Sequence, residues 1–331
     1  SQNTGVSEDG LVKAVSGSVT FPKDVTRILV STKDHCYFLD PNDFSIISSI
    51  AYNDVYPGFE ASEFMPDSYA PYAYDKKMKK FAHLNLSYMF PYEYKYFVGF
   101  EMDDCILSYY KNYQDKATPQ TFYMDYKNSN VSIFSTYATY FGKDTWFPNP
   151  GDMLKGQTLL TAFEGYAGGS VYILSKDKEN SKLTLWKNAS DYSGYYIDAK
   201  DFTKETIDIT ADMAVPEQGT RFVSSPTYDR YFYNVGNGVY VYLPKNSFVL
   251  PNKNQAAIRF GDSEEITYME TNFDTEELYV ATYDEVTQRG NFYIYDCKDV
   301  TTNNGGKVKV KETYKSCAGK ITYLMYKPSI Q

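Results

Sequence analysis

Residues 266–297 read ITYMETNFDTEELYVATYDEVTQRGNFYIYDC, and this stretch decides the fold. An apolar segment ends at Phe273 and gives way to a short acidic turn. ELYVATYD then alternates with period two, as a half-buried strand does. A turn-rich stretch closing in Arg289-Gly290 leads into NFYIYDC, which alternates again. Beyond Asn303-Asn304-Gly305-Gly306, KVKVKETY sets lysines on one face, as an outer strand does. Together these segments predict an antiparallel unit of four strands, the content of one propeller blade.

The unit recurs. RFVSSPTYDRYFYNVGNGVYVY at 221–242 gives strand, turn at Asp229, strand, Gly-Asn-Gly turn, strand. LLTAFEGY, SVYILSKD and KLTLW do the same at 159–186, and ILSYYKNY, TFYMDYK and VSIF at 106–134. A weaker copy is PYAYDKKMKKFAHLNL at 71–86. An aromatic residue ends each first strand, at Tyr74, Tyr113, Tyr166, Tyr228, Phe273 and Tyr326. Helical stretches of period 3.6 are absent, which argues against βαβ units. The chain ends add a second argument. GKITYLMYK at 319–327 matches a first strand but has no second strand after it, while TRILVSTK, CYFLDPND and FSIISSIAY at the other end read as second, third and fourth strands lacking a first. Joining the ends completes one blade and leaves no unpaired edge at the seam. The expectation is an all-β, β-propeller domain over 17–331, its ring closed by the C-terminal strand in the N-terminal blade. Six blades are favoured, and seven if 87–104 or 188–215 holds a degenerate one. Residues 1–16, polar and glycine-containing, read as a flexible leader or tether.

Composition narrows the function. Lys plus Arg is 33 against 42 Asp plus Glu, a formal charge of −9. Such a balance argues against nucleic acid or an anionic membrane as the main partner. No run approaches the roughly 18 apolar residues of a membrane span. The start at Ser1 does not read as a signal peptide. Four cysteines, Cys36, Cys105, Cys297 and Cys317, lack CxxC spacing, so a zinc cluster is not expected. Pairing the last two strands puts Cys317 some 30 Å from Cys297, too far for a disulfide, so four free thiols are expected.

Motifs for chemistry are scarce. G-x-S-x-G, HExxH and a phosphate-binding glycine loop do not occur. Gly168-Gly169-Ser170 leads straight into a strand, which makes Ser170 a turn residue. His35 and His83 lie in strand-like segments and read as satisfied strand histidines. Acidic residues cluster at Asp103-Asp104, Asp262, Glu264 and Glu265. Two carboxylates across a propeller mouth could serve glycoside hydrolysis, but acidic turns are ordinary in all-β proteins. The repeat signatures of the WD40, kelch and sialidase propellers are missing.

The style of PYAYDKKMKKF at 71–81, SPTYDRYFYN at 225–234, EELYVATYDEVTQRGNFYIYD at 276–296 and the closing GKITYLMYK resembles the propeller region of the PKD-like family lipoproteins of Bacteroidetes cell surfaces. The likeness spans most of the chain and is one of texture. It implies an extracytoplasmic protein, at the outer-membrane surface or in the periplasm, lipid-anchored in its precursor. It supplies no catalytic residues to carry over.

Tyrosine, at 35 residues, packs mainly within sheets, its hydroxyl reaching solvent or a partner. Loop aromatics are different, because no sheet face requires them. Loops 51–68, 87–104, 140–157 and 205–220 share one propeller face on this strand assignment. They carry Tyr56, Phe59, Phe64, Trp146, Phe147 and Met213 beside Glu60, Glu63, Asp67, Asp152, Asp208, Asp212 and Glu217. The opposite face carries Lys76-Lys77-Met78-Lys79-Lys80. Tyr56, Phe59, Trp146 and Phe147 are the ligand-binding candidates, with Trp146 first because Pro148 and Pro150 stiffen its loop; the alternative for Trp146 is a core plug between blades. The expected protein is non-enzymatic and monomeric and recognises a carbohydrate through stacking and hydroxyl hydrogen bonds. A protein-interaction scaffold is the alternative reading, and a glycoside hydrolase or lyase the third. No cofactor is expected. A Ca²⁺ ion in the channel or on the acidic face is compatible with oxygen ligands.

Overall fold

The computed structural model describes residues 25–32, 34–51, 72–75, 80–83, 98–102, 105–110, 120–125, 129–135, 151–164, 171–188, 202–272, 274–298, 300 and 309–327. The 1–16 leader lies outside them. Among them the helical elements are two short 3-10 turns, Gly151–Leu154 and Lys253–Gln255.

Strands β1 (Arg27–Ser31), β2 (His35–Leu39) and β3 (Ile46–Ala51) open the chain, followed by the hairpin β4 (Tyr72–Asp75) and β5 (Lys80–His83). A third sheet comprises β6 (Val98–Met102), β7 (Cys105–Tyr110), β8 (Gln120–Asp125) and β9 (Asn130–Ser135). The fourth has β10 (Gln157–Glu164), β11 (Val171–Asp177), β12 (Lys182–Asn188) and β13 (Phe202–Asp208). The fifth has β14 (Val223–Ser224), β15 (Tyr231–Val235), β16 (Gly238–Tyr242) and β17 (Ile258–Arg259). The sixth has β18 (Glu264–Asn272), β19 (Glu277–Asp284), β20 (Arg289–Asp296) and β21 (Lys309–Ala318). The last strand, β22 (Tyr323–Lys327), adds to the first sheet, giving the order β22-β1-β2-β3. Its register is antiparallel, with Ile28 opposite Tyr326 and Ser31 opposite Tyr323. This is the closure expected from the unmatched chain ends.

Six sheets are thus present among the described residues, five of them antiparallel meanders of four strands. Two boundaries differ from the sequence reading. Cys105–Tyr110 is the second strand of its sheet, not the first; Val98–Met102 precedes it. Residues 98–102 therefore belong to a sheet and not to a face loop. Phe202–Asp208 is likewise the fourth strand of the β10–β12 sheet, paired along β12 from Lys182↔Asp208 to Asn188↔Phe202.

Burial ranks the strands from axis to rim. β1 and β16 are buried at every residue, as strands covered on both faces must be. The fourth strands face solvent: β13 is exposed or half-buried throughout. Successive sheets pack face to face. Between the fourth and fifth, Phe222 is sandwiched by Phe163 (4.6 Å, 5° between rings) and Tyr233 (4.7 Å, 6°). Leu160, Leu174, Leu185, Tyr231 and Tyr242 complete that layer. Two buried tyrosines there have their hydroxyls satisfied: Tyr233 donates to the Ala214 carbonyl at 2.9 Å and Tyr240 to the Lys253 carbonyl at 2.8 Å. Val223, Phe232, Val239 and Val241 meet Leu278, Val280 and Tyr295 between the fifth and sixth sheets. The sixth meets the first through Tyr268 against Tyr323 (5.4 Å) and Phe44 against Phe292 (5.4 Å). Each buried aromatic contributes roughly 1.5–3 kcal/mol by area removed from water. Meanders in chain order, packed face to face and closed by the C-terminal strand, form a β-propeller.

Candidate functional site

A meander turns at two ends. One propeller face gathers the fourth-to-first connections and the second-to-third turns. Of the candidates on that face, Tyr56, Phe59, Trp146 and Phe147 lie outside the described residues, as do Phe64, Glu60, Glu63 and Asp67. Met213 is buried and bridges to Asn252, so it plugs the core and does not face a ligand. Asp208 pairs with Lys182 at 3.0 Å at the exposed end of β13. Glu217 reaches an open cleft.

That cleft has a volume of about 630 Å³ and lies where the fourth sheet meets the connection entering the fifth. Thr158 and Leu160 of β10 form one wall, Lys176, Asp177 and Lys178 the second, and Val215, Pro216, Glu217 and Gln218 the third. Local sequence builds each wall. Gly156 adopts φ +77°, a left-handed conformation that suits glycine, and its carbonyl accepts the Lys178 N–H at 3.0 Å. The Asp177 carboxylate accepts the Glu179 N–H at 2.9 Å and the Asn180 N–H at 3.0 Å, which fixes the turn after β11. Those backbone donors, Glu179 first, hold the Asp177 carboxyl below its ordinary range. The third wall is pinned to β10: Gly219 N–H donates to the Leu160 carbonyl (2.9 Å) and Gln218 Nε2 to the Leu159 carbonyl (2.8 Å). Lys176, Lys178 and Glu217 are exposed. Among the described residues neither lysine is in an ion pair.

A polar network underlies the cleft. Trp186 Nε1 donates to Ser175 Oγ (2.9 Å), and Ser175 Oγ donates to Gln157 Oε1 (2.9 Å). The sixth sheet repeats this arrangement with different residues. Tyr293 donates its hydroxyl to Glu264 Oε1 at 2.7 Å, and Thr282 Oγ1 approaches Glu264 Oε2 at 3.4 Å. In both sheets the partners come from the start of the first strand, the end of the second and the middle of the third.

Nearer the axis, between the connection just ahead of β14 and the strand β18, sits a group that the sequence reading missed. Arg221 Nη2 lies 3.4 Å from Glu270 Oε2, and its Nη1 donates to the Met269 carbonyl. The guanidinium stacks over the Tyr268 ring at 4.1 Å. Burial pushes the Glu270 carboxyl up, and Arg221 opposes it. No spacing signals this pair, whose members are 49 residues apart.

Among the described residues no group of three or more His, Cys, Asp or Glu side chains is placed to hold a metal ion. No helix among them is long and apolar enough to cross a membrane. His35 stacks on Tyr37 at 5.5 Å within β2. Cys297 is a buried free thiol, pushed up to about 12 by burial. Cys317 sits opposite Gly290, at the far end of the β20–β21 pairing from Asp296↔Lys309 beside Cys297, as the strand reading required.

No family model and no curated protein matches the chain. Solved structures similar to it include a quinonprotein alcohol dehydrogenase-like protein from Bacteroides thetaiotaomicron VPI-5482. That match is 14% identical, covers 98% of this chain and 68% of the other, and has a TM-score of 0.40. A putative TolB from Agrobacterium tumefaciens is 9% identical over 77% of this chain and 96% of its own, with a TM-score of 0.36. An apocarotenoid oxygenase mutant from Synechocystis is 11% identical over 93% and 76%, with a TM-score of 0.32. At these scores the likenesses say nothing of ligand or reaction. The propeller assignment stands on strand order and closing register.

Proposed function

We propose that this chain is a non-enzymatic, extracytoplasmic binding protein that holds a carbohydrate on the face where the fourth-to-first connections emerge. The observation that carries the reading is the cleft of about 630 Å³, in which hydroxyl, ammonium, carboxylate and carboxamide groups converge over an apolar floor of Leu160, Val215 and Pro216. A sugar offers both kinds of surface, hydroxyls around a ring with apolar C–H faces. The non-enzymatic part is supported by the carboxylates. Hydrolysis of glycosides calls for two working carboxyl groups; among the described residues the cleft offers Glu217 and Asp177, and Asp177 is engaged by its turn and by Gln157. The cell-surface setting, with a lipid anchor upstream, rests on the resemblance to the PKD-like lipoproteins.

Affinity electrophoresis through gels containing soluble polysaccharides tests the reading. At least one polymer should retard the protein. Glu217→Gln with Thr158→Val should abolish that retardation while leaving the melting temperature within about 2 °C, since surface changes cost under about 0.5 kcal/mol each. Unretarded migration through neutral and acidic polymers alike would reject carbohydrate binding and favour a protein partner for the same face.

A further inference from the structure

The cleft has an equivalent elsewhere in the ring, and comparing the two identifies what the open one lacks. β10 and β11 begin with Gln157↔Asp177 and Thr158↔Lys176, and the register slips between Leu159 and Thr161. β18 and β19 begin with Glu264↔Asp284 and Glu265↔Tyr283, and the register slips between Ile266 and Tyr268. The two frames superimpose pair by pair, so Thr158 stands where Glu265 does and Lys176 where Tyr283 does. In the sixth sheet the groove is filled by the chain itself. The connection before β22 lays Lys320 across it, with Nζ 3.3 Å from Glu265 and 5.3 Å from the Tyr283 ring centroid. That groove has a cation, an acid and a ring, and its charges are settled internally.

In the fourth sheet both receptor positions are changed. Threonine replaces the acid, and lysine replaces the ring. The part of the connection entering the fifth sheet that lines the cleft, Val215 to Gln218, brings no basic residue, and it turns Gln218 away onto the Leu159 carbonyl. Lys178 adds a second ammonium to the same wall, and Asp177 between them is engaged elsewhere, its Oδ1 by the turn N–H groups and its Oδ2 by Gln157 Nε2 at 3.4 Å. We propose that this cleft takes an anionic sugar, whose carboxylate or sulfate sits between Lys176 and Lys178 while Thr158 and Glu217 contact ring hydroxyls. The proposal rests on the reading of the cleft as a glycan site and adds the charge of the glycan. The chain's −9 charge does not oppose it at working salt, because charges beyond about 8 Å are screened near 0.15 M.

The test is affinity electrophoresis, with calorimetric titration, against polygalacturonate, dextran sulfate and neutral dextran at 0.1 M salt. The wild-type chain should be retarded by an acidic polymer, and the pattern distinguishes carboxylate from sulfate. Lys176→Gln with Lys178→Gln should weaken that binding at least tenfold per lysine, about the worth of a hydrogen bond to a charged group. Lys245→Gln with Lys298→Gln, just past the ends of the third strands β16 and β20 and so on the opposite face, makes the same change of net charge and should leave binding unaltered. Equal retardation of the cleft variant and wild type, or equal loss in both double variants, overturns the assignment to this cleft. Retardation by neutral dextran alone overturns the anionic ligand but keeps the glycan reading, and retardation by none overturns both.

Discussion

Replacing Arg221 by leucine removes the one cation beside Glu270 among the described residues and leaves a shielded carboxylate without that partner. The two side chains are 20% and 16% exposed. Breaking half of a buried pair costs about 3–5 kcal/mol. Partial exposure moves this pair to the lower end, and loss of the contact to the Tyr268 ring adds back up to about 1 kcal/mol, so about 3 kcal/mol is expected. Unfolding entropy near 2.1 cal/mol/K per residue amounts to roughly 0.7 kcal/mol/K for a chain of this length, which makes the loss about 4 °C in melting temperature. The loss should depend on pH in a definite sense. Burial holds the Glu270 carboxyl above its ordinary value. A group raised on folding contributes stability that is complete below its unfolded pKa and is lost as pH climbs through the folded one. Without Arg221 the folded value rises further. The deficit of Arg221→Leu should therefore be small near pH 4 and grow as pH rises. Adding Glu270→Gln should flatten the pH dependence and restore most of the loss. Calorimetry from pH 4 to 8 on the wild type, both single variants and the double variant measures this directly. A deficit equal at pH 4 and pH 7, or untouched by Glu270→Gln, would refute the reasoning and leave Arg221 acting only through the Met269 carbonyl and the Tyr268 ring.

Three further outcomes are expected. Leu324→Ala, at a fully buried position of the closing strand, should cost about 2–5 kcal/mol by urea titration, and a loss under 1 kcal/mol would mean that β22 is not needed to hold the ring. Trp186→Phe removes the donor to Ser175 and should cost about 1 kcal/mol, with Tyr293→Phe at the matching position of the sixth sheet at least as costly because Glu264 then loses its hydroxyl donor; unchanged melting in both would show the networks to be incidental. Thiol titration in denaturant without reductant should give four thiols per chain, while Cys297 in the folded protein should stay unreactive at pH 8; fewer than four would contradict the strand register of the last sheet.

Legibility followed the length of the strand and the locality of the contact. β18 to β20 are eight or nine residues each and alternate cleanly, so ELYVATYD and NFYIYDC announce themselves. The closing strand was visible because a lone first strand at one end matched a missing one at the other. β6 was not, because only Asp103-Asp104 separates it from β7, and two aspartates read as an acidic cluster before they read as a hairpin turn. β14 and β17 have two residues each, too short for any period to register. The cleft was hidden for another reason. Sequence reasoning sought loop aromatics, whereas the cleft is made from strand ends, where lysine and aspartate look like solvated surface. One signal for it was present. Aligning 157–186 with 264–293 by polar residues, not by terminal aromatics, sets Gln157, Ser175, Asp177 and Trp186 against Glu264, Thr282, Asp284 and Tyr293.

That alignment also explains how one frame yields two kinds of surface. The buried members of each network join three strands at the same height, and both turns after the second strand are fixed by an aspartate that accepts backbone N–H groups: Asp177 from Glu179 and Asn180, Asp284 from Val286 at 2.9 Å. These contacts hold the backbone of the two grooves alike, down to the register slip. With the frame fixed, the groove chemistry is set by side chains that take no part in folding. Glu265 and Tyr283 receive Lys320 and close one groove. Among the described residues no side chain pairs with Thr158 or Lys176, and the connection that could supply a partner is tied down by Gln218 and Gly219 to the carbonyls of β10. A closed groove contributes an ion pair that is half exposed and worth little to stability. The open groove sets two ammonium groups that have no ion pair among the described residues on one wall, an arrangement that gains nothing for the fold and that an anion entering from outside would complete.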